Sequence, residues 1–116
     1  MNIYTHTWGD GHQTVYINLA EGFCKVNIYD EGYRKVAELY DLIVLPQHRG
    51  RGYGRILLEA AVEAASQQKC DVLVLWPDCE DWVLEWYKRY GFRQDASCRN
   101  YDSEMGWSID LNQLNA

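Results

Sequence analysis

Between Val44 and Arg55 the chain reads Val-Leu-Pro-Gln-His-Arg-Gly-Arg-Gly-Tyr-Gly-Arg, so that three glycines and three arginines fall in its last seven residues. What lies on either side makes this segment the strongest constraint on the fold. Before it, Val36 to Leu45 is a strand-like run that becomes almost wholly apolar at its end. That pattern predicts a C-terminal half buried on both faces. Pro46 ends the strand. After it, Tyr53, Ile56, Leu57, Ala60, Ala61 and Ala64 recur at helical spacing, with Arg55, Glu59, Glu63 and Gln67 on the opposite stripe. The spacing predicts a helix running to about Lys69. Residues 50 to 54 carry no side-chain oxygen that would cap this helix, so its first backbone N–H groups are left free. Glycines let a ligand approach the backbone, and the helix dipole and the arginines add positive potential. The result is an anion site suited to a phosphate or pyrophosphate.

Two phosphate loops are excluded by spacing. A Walker loop needs Lys followed by Ser or Thr, and neither is present. A dinucleotide fingerprint needs G-x-G-x-x-G directly after a strand, whereas Gly50, Gly52 and Gly54 give G-x-G-x-G. On the glycines alone, a plain turn with solvated arginines stays open.

The basic cluster contrasts with the rest of the chain. Eleven Lys and Arg against seventeen Asp and Glu give a net charge of −6. Such a chain disfavours nucleic acid and favours cationic partners such as amines. At 116 residues it is the size of one domain, here 1–116. No run reaches the ~18–20 apolar residues that would cross a bilayer, and Met1 to Asp10 lacks a basic start and an apolar core. No membrane contact and a cytoplasmic location are therefore expected. Cys24, Cys70, Cys79 and Cys98 form no C-x-x-C pair, and His6, His12 and His48 are scattered. No metal is expected, and the thiols should be reduced and mostly buried.

Thr14 to Ala20 and Phe23 to Tyr29 alternate as strands around a Glu21-Gly22 turn, with a second turn at Asp30 to Gly32. Val72 to Trp76 is a short buried strand. Asp78 reads as an N-cap with Asp81 three residues on. Cys79, Trp82, Val83, Trp86, Tyr87 and Tyr90 share a face of the helix that follows, and Gly91 stops it. Phe92 to Leu111 gives two strands around an Asn100–Asp102 turn, the second being Met105 to Leu111. The order is β-β-β-α-β-α-β-β, a mixed, mostly antiparallel α/β domain with two main helices. Trp76, Trp82 and Trp86 crowd one region, where core packing outweighs a cation–π site.

The segment around the glycines closely resembles the signature of the GNAT superfamily, the acyl-CoA-dependent N-acetyltransferases: V-x-P-x-x-R-G-x-G-x-G, with the core [QR]-x-x-G-x-[GA]. Arg49-x-x-Gly52-x-Gly54 fits that core. About 35 residues on, Trp86-Tyr87-Lys88-Arg89-Tyr90-Gly91-Phe92 is similar to the family's F-Y-x-x-x-G-F. The resemblance covers Val36 to Phe92 strongly and implies acetyl-CoA between the strand ending at Leu45 and the strand ending at Trp76. Its pyrophosphate would sit on Arg49, Gly50, Arg51, Gly52, Tyr53, Gly54 and Arg55, and its pantetheine would pair with the backbone near Val44. His48 reads as a solvated neighbour of the cofactor. Two departures stand out. Family members usually carry two helices between their first two strands, and only about twelve residues separate Ile3 from Val15. Glu80 stands where members often have an asparagine that touches the cofactor.

The resemblance further implies Tyr87 as general acid to the leaving thiolate and Glu38 as general base, with Asp41 the weaker alternative. The expected reaction is direct acetyl transfer from acetyl-CoA to a primary amine, either a small cationic amine or a protein lysine or N-terminus. The alternative is a catalytically reduced CoA-binding or protein-interaction module of the same fold. The missing helices leave the acceptor side open, so a homodimer is expected, covering that side or pairing a strand edge.

Overall fold

The computed structural model describes residues 1–114. Seven strands form one sheet in the order β1-β2-β3-β4-β5-β7-β6. They are β1 (Asn2–Thr7), β2 (Gln13–Leu19), β3 (Gly22–Asp30), β4 (Lys35–Val44), β5 (Val72–Leu75), β6 (Arg93–Arg99) and β7 (Met105–Asp110). The helices are α1 (Tyr53–Gln67), α2 (Asp81–Tyr90) and the single turn α3 (Leu111–Leu114). The mixed α/β order expected from the sequence is present, with one strand added at the start and one helical turn near the end. β1 carries no alternation of burial because all six of its residues are exposed on the sheet edge.

Alternation succeeded where one face is buried. Val15 and Ile17 of β2 and Cys24, Val26 and Ile28 of β3 are buried, together with Ala37 and Leu39 of β4. All pack in one cluster with Leu57, Leu58, Ala61 and Ala65 of α1 and Tyr87 of α2. Each fully buried leucine there is worth about 1.5–3 kcal/mol. Both long helices therefore lie on the same side of the sheet. The other side holds a smaller cluster of Val36, Val72, Val74 and Cys98, with Trp76 packed against it. All four cysteines are free, three of them buried and Cys79 exposed, as expected of reduced thiols.

Several local expectations are corrected. The second helix starts later than the sequence suggested. Glu80, not Asp78, is its N-cap, without a side-chain bond, and the Glu80 carbonyl takes the N–H groups of Val83 and Leu84 at 3.0 and 3.1 Å. Leu111 belongs to α3 instead of β7, because the Asp110 carboxylate accepts the N–H of Asn112 at 2.9 Å and turns the chain out of the sheet. The three tryptophans do not crowd together: Trp82 is 71% exposed, Trp76 lies across the sheet, and Trp86 faces the start of α1.

The largest correction concerns the end of β4. Only Val36, Ala37 and Glu38 pair with β5, in parallel, opposite Val72, Leu73 and Val74. Beyond Glu38 the two strands part, so the apolar residues that follow are not buried on both faces. Tyr40 and Ile43 are exposed and Leu42 and Val44 only half-buried. A bulge bends the same stretch. Asp41 and Leu42 together face Cys24 of β3, and Asp41 adopts φ 53°. β3 and β4 stay in contact past the bulge through a close approach at Gly22, where a Cβ would run into the carbonyl oxygen of Ile43. Gly22→Ala is therefore expected to cost about 1–3 kcal/mol. A lower urea midpoint at unchanged slope would show it, and an unchanged midpoint would mean the strands can separate there freely.

Candidate functional site

The glycine-arginine segment leaves β4 through a 3-10 turn at Pro46–His48 and enters α1 with Gly52 as N-cap. No side chain caps the helix, as the sequence indicated. Gly50 (φ 78°) and Gly52 (φ 87°) are left-handed, and a Cβ on either would meet no atom within 4 Å. Glycine is needed there for backbone conformation, and the space above the loop is open. At Gly54 the surroundings are different. A Cβ would sit 3.8 Å from the Trp86 ring and 3.9 Å from Val44, so α2 braces the helix start against the end of β4.

The three arginines are held differently. Arg49 donates from Nε to the Val44 carbonyl at 3.0 Å. Arg55 bonds Glu59 at 2.8 Å and lies 5.9 Å from the Tyr90 ring centre. Arg51 is exposed. His48 departs from its expected solvated state. Its Nδ1 is out of solvent and has no hydrogen-bond partner among the described residues, and its ring meets Tyr53 edge-on at 6.0 Å. A buried, unpartnered imidazole nitrogen beside an uncapped helix start fits a polar ligand in the loop. The half-open apolar edge of β4 fits a ligand's extended chain. Among the described residues no group of three His, Cys, Asp or Glu is placed to hold a metal. A groove of about 360 Å³ between β1 and α1, lined by Met1, Ile3 and Ile56 among others, lies away from this loop.

Tyr87 and Glu38 stand on opposite faces of the sheet. Tyr87 is buried with the helices, edge-on to Trp86 at 4.9 Å and to Phe92 at 5.6 Å. Its hydroxyl bonds no described residue. Burial first, then the charges of Asp78 and Cys24, push its pKa up to about 12, so it is a neutral proton donor at ordinary pH. Glu38 belongs to the last β4 pair before the strands part, and it alternates with the helix-facing Ala37 and Leu39. Tyr40 donates its hydroxyl to Glu38 at 2.5 Å. Asp41 is engaged by Lys25 at 3.3 Å. Tyr87 and Glu38 are thus separated by the sheet. Tyr40 was missed in the sequence, although its i, i+2 spacing from Glu38 puts both on one face.

No helix lies between β1 and β2. Their turn instead carries Trp8 and His12 onto the sheet face opposite the helices. Trp8 donates from Nε1 to Thr14 at 2.8 Å, and Thr14 donates to Asn27 at 2.6 Å. Trp8 stacks on His12 at 5.6 Å, and His12 stacks on Tyr29 of β3 at 5.0 Å. The side left open by the missing helices thus has a wall built from the hairpin itself.

Residues 8–94, well over half the chain, match the acetyltransferase (GNAT) domain. The chain belongs to the GNAT family. An uncharacterized N-acetyltransferase of Methanocaldococcus jannaschii is 39% identical over 62 residues, which are 53% of this chain and 27% of that protein. One from Schizosaccharomyces pombe is 31% identical over 82 residues, 71% of this chain and 56% of that protein. The chain thus spans only about a quarter to a half of the length of these curated relatives. In structure it is similar to a GNAT family acetyltransferase from Elizabethkingia anophelis with acetyl-CoA bound, with a TM-score of 0.64 and 14% identity over 94% of this chain and 97% of that one. At that identity the likeness shows a shared fold. No described helix of this GNAT domain is long and apolar enough to cross a membrane.

The Tyr87 phenol links the site to stability. Unfolded, it ionises near pH 10, and folded near about 12. Between these values the unfolded chain has lost the proton while the native chain keeps it. This contribution is whole below pH 10 and is lost as the pH rises toward 12. Cys24, raised by burial from 9.0 to about 12, acts in the same direction. The stability gap between wild type and Tyr87→Phe is expected to shrink from about pH 8 to about pH 11 in urea melts. An equal gap at both values would put the hydroxyl in water.

Proposed function

We propose that this GNAT domain transfers an acetyl group from acetyl-CoA directly to a primary amine. The observation that carries the reading is the uncapped, open start of α1 beside the point where β4 and β5 part. The amides of residues 49 to 54, with Arg49, Arg51 and Arg55, would hold the pyrophosphate. His48 Nδ1 supplies a further polar contact, and the Val44 backbone would pair with the pantetheine. When bound, the thioester provides the activated acetyl carbon. Glu38 takes the proton that the acceptor ammonium must lose before its nitrogen forms the new C–N bond. Tyr87 gives its proton to the sulfur as the C–S bond breaks; the nitrogen sheds its second proton to solvent as the amide forms, and Tyr87 is reprotonated from solvent. The raised pKa keeps that proton on the phenol at ordinary pH.

CoA at ~100 times its dissociation constant is expected to add about 2.7 kcal/mol to stability, read as a rise in Tm. Gly52→Asp should abolish the rise, because it strains φ 87° and brings a negative charge to the anion site. Tyr87→Phe should keep the rise and lose ~10²–10⁴-fold in turnover. Absence of any shift with millimolar CoA rejects the reading, and a shift without turnover on any amine leaves the catalytically reduced module.

We further propose that the chain acts in the reducing cytoplasm, which its free thiols support, and that it is a homodimer. β1 supports the second point, being a six-residue edge strand exposed throughout. Light scattering at micromolar concentration is expected to give about twice 13.6 kDa, and a single-chain mass would reject the dimer.

A further inference from the structure

Across β2 and β3 and the middle of β4, the sheet face opposite the helices is polar and aromatic, beside the small apolar cluster around Val72 and Val74. By alternation it presents Tyr16 from β2, Lys25, Asn27 and Tyr29 from β3, and Glu38 and Tyr40 from β4. Asn27 is directly opposite Glu38, so Tyr29 is a diagonal neighbour of that carboxylate, within reach of a tyrosine ring. Tyr40 stands two residues from Glu38 on the same strand and bonds it. Tyr101 is fully exposed on the β6–β7 turn, close enough for its charge to be felt by Tyr29 and Tyr40. Burial first, and then the charges of Glu38, Asp10 and Tyr101, raise the Tyr29 pKa. Burial, the bond to Glu38, and the charges of Glu38, Tyr29 and Tyr101 raise that of Tyr40. Two phenols therefore flank one carboxylate, and the exposed Tyr101 stands near both of them.

The charges on this face are unevenly matched. Lys25 is engaged by Asp41 at 3.3 Å. His12 holds Asp10 through Nδ1 and stacks on Tyr29. Glu38 is half-buried, and among the described residues its partner is a tyrosine hydroxyl with no cation in ion-pair range. A carboxylate partly withdrawn from water calls for a positive partner. Ring faces attract ammonium groups, and a carboxylate repels anions.

We propose that the acceptor presents a primary ammonium on a flexible aliphatic chain, and that Tyr29, Tyr40 and Tyr101 with Glu38 form the box that recognises it, closed at one end by the Trp8–His12 stack. The inference names the acceptor class for the transferase reading and rests on it for the acetyl step, while binding of the ammonium stands apart from that step. The charged head lies on the Glu38 carboxylate, and the methylenes lie along the phenol rings. Tyr101 on its turn covers the site from the solvent side.

Binding is tested with pentyltrimethylammonium, which cannot be acetylated, and with its neutral tert-butyl analogue. NMR of ring-labelled tyrosine in the full chain reports the contact, with signals assigned by Tyr29→Leu and Tyr101→Leu. The ammonium is expected to shift the Tyr29, Tyr40 and Tyr101 signals, and the neutral analogue to leave them in place. Tyr101→Leu should weaken binding about 5- to 30-fold and Tyr101→Phe much less, as loss of a cation–π contact requires. Equal binding of the neutral analogue, or unmoved ring signals, overturns the proposal. A kinetic arm compares 1,5-diaminopentane, a lysine peptide and para-anisidine. Tyr101→Leu should raise KM for whichever alkylammonium is used and leave the arylamine unchanged, and the better of the first two identifies the source. Ammonium binding without a CoA-induced rise in Tm defeats the transferase reading alone. A CoA rise with transfer to the arylamine only defeats this inference alone.

Discussion

The separation of β4 from β5 after Glu38 is the constraint on which the site depends. Strands in a sheet normally satisfy each other's backbone groups along their length. Here three residue pairs hold the strands together, and six further residues of β4 run on without that neighbour. The glycine-arginine loop begins where this unpaired edge ends, so an uncapped helix start and an extended edge are contiguous. The bulge at Asp41–Leu42 adds curvature, and Gly22 keeps β3 close enough to hold β4 in place after it has lost β5 on the other side.

The sheet divides the chemistry by face. Apolar side chains, both long helices and the neutral Tyr87 phenol are on one side. Glu38, the tyrosines and the hairpin turn are on the other. The division follows from strand alternation, since neighbouring β4 residues must point oppositely. The buried phenol of Tyr87 and the half-buried carboxylate of Glu38 are thereby held on opposite sides of the sheet.

Much of this was legible in the residues. The uncapped α1 start followed from the lack of side-chain oxygen at 50 to 54, and the alternating strands followed from Val15, Ile17, Val26 and Ile28. The misreadings have physical causes. The apolar end of β4 read as buried because the sequence does not show where a neighbouring strand leaves. β1 gave no burial signal because both its faces are exposed. His48 looked solvated, whereas packing against Tyr53 withdraws Nδ1. The wall made by Trp8, His12 and Tyr29 depends on pairing between strands distant in sequence, so spacing alone could not reveal it. The Tyr40–Glu38 pair was within reach by strand parity.

The bond from Arg49 to the Val44 carbonyl joins the loop to the strand edge. A guest that takes the same carbonyl lone pair or the Arg49 Nε displaces this bond, so the guest replaces one interaction with another. The net gain at that point is the difference between two similar bonds, far smaller than either alone. Such a swap rewards a visitor that satisfies both groups at once and penalises one that satisfies only one. It also works in reverse, since the arginine can return to the carbonyl as the guest departs.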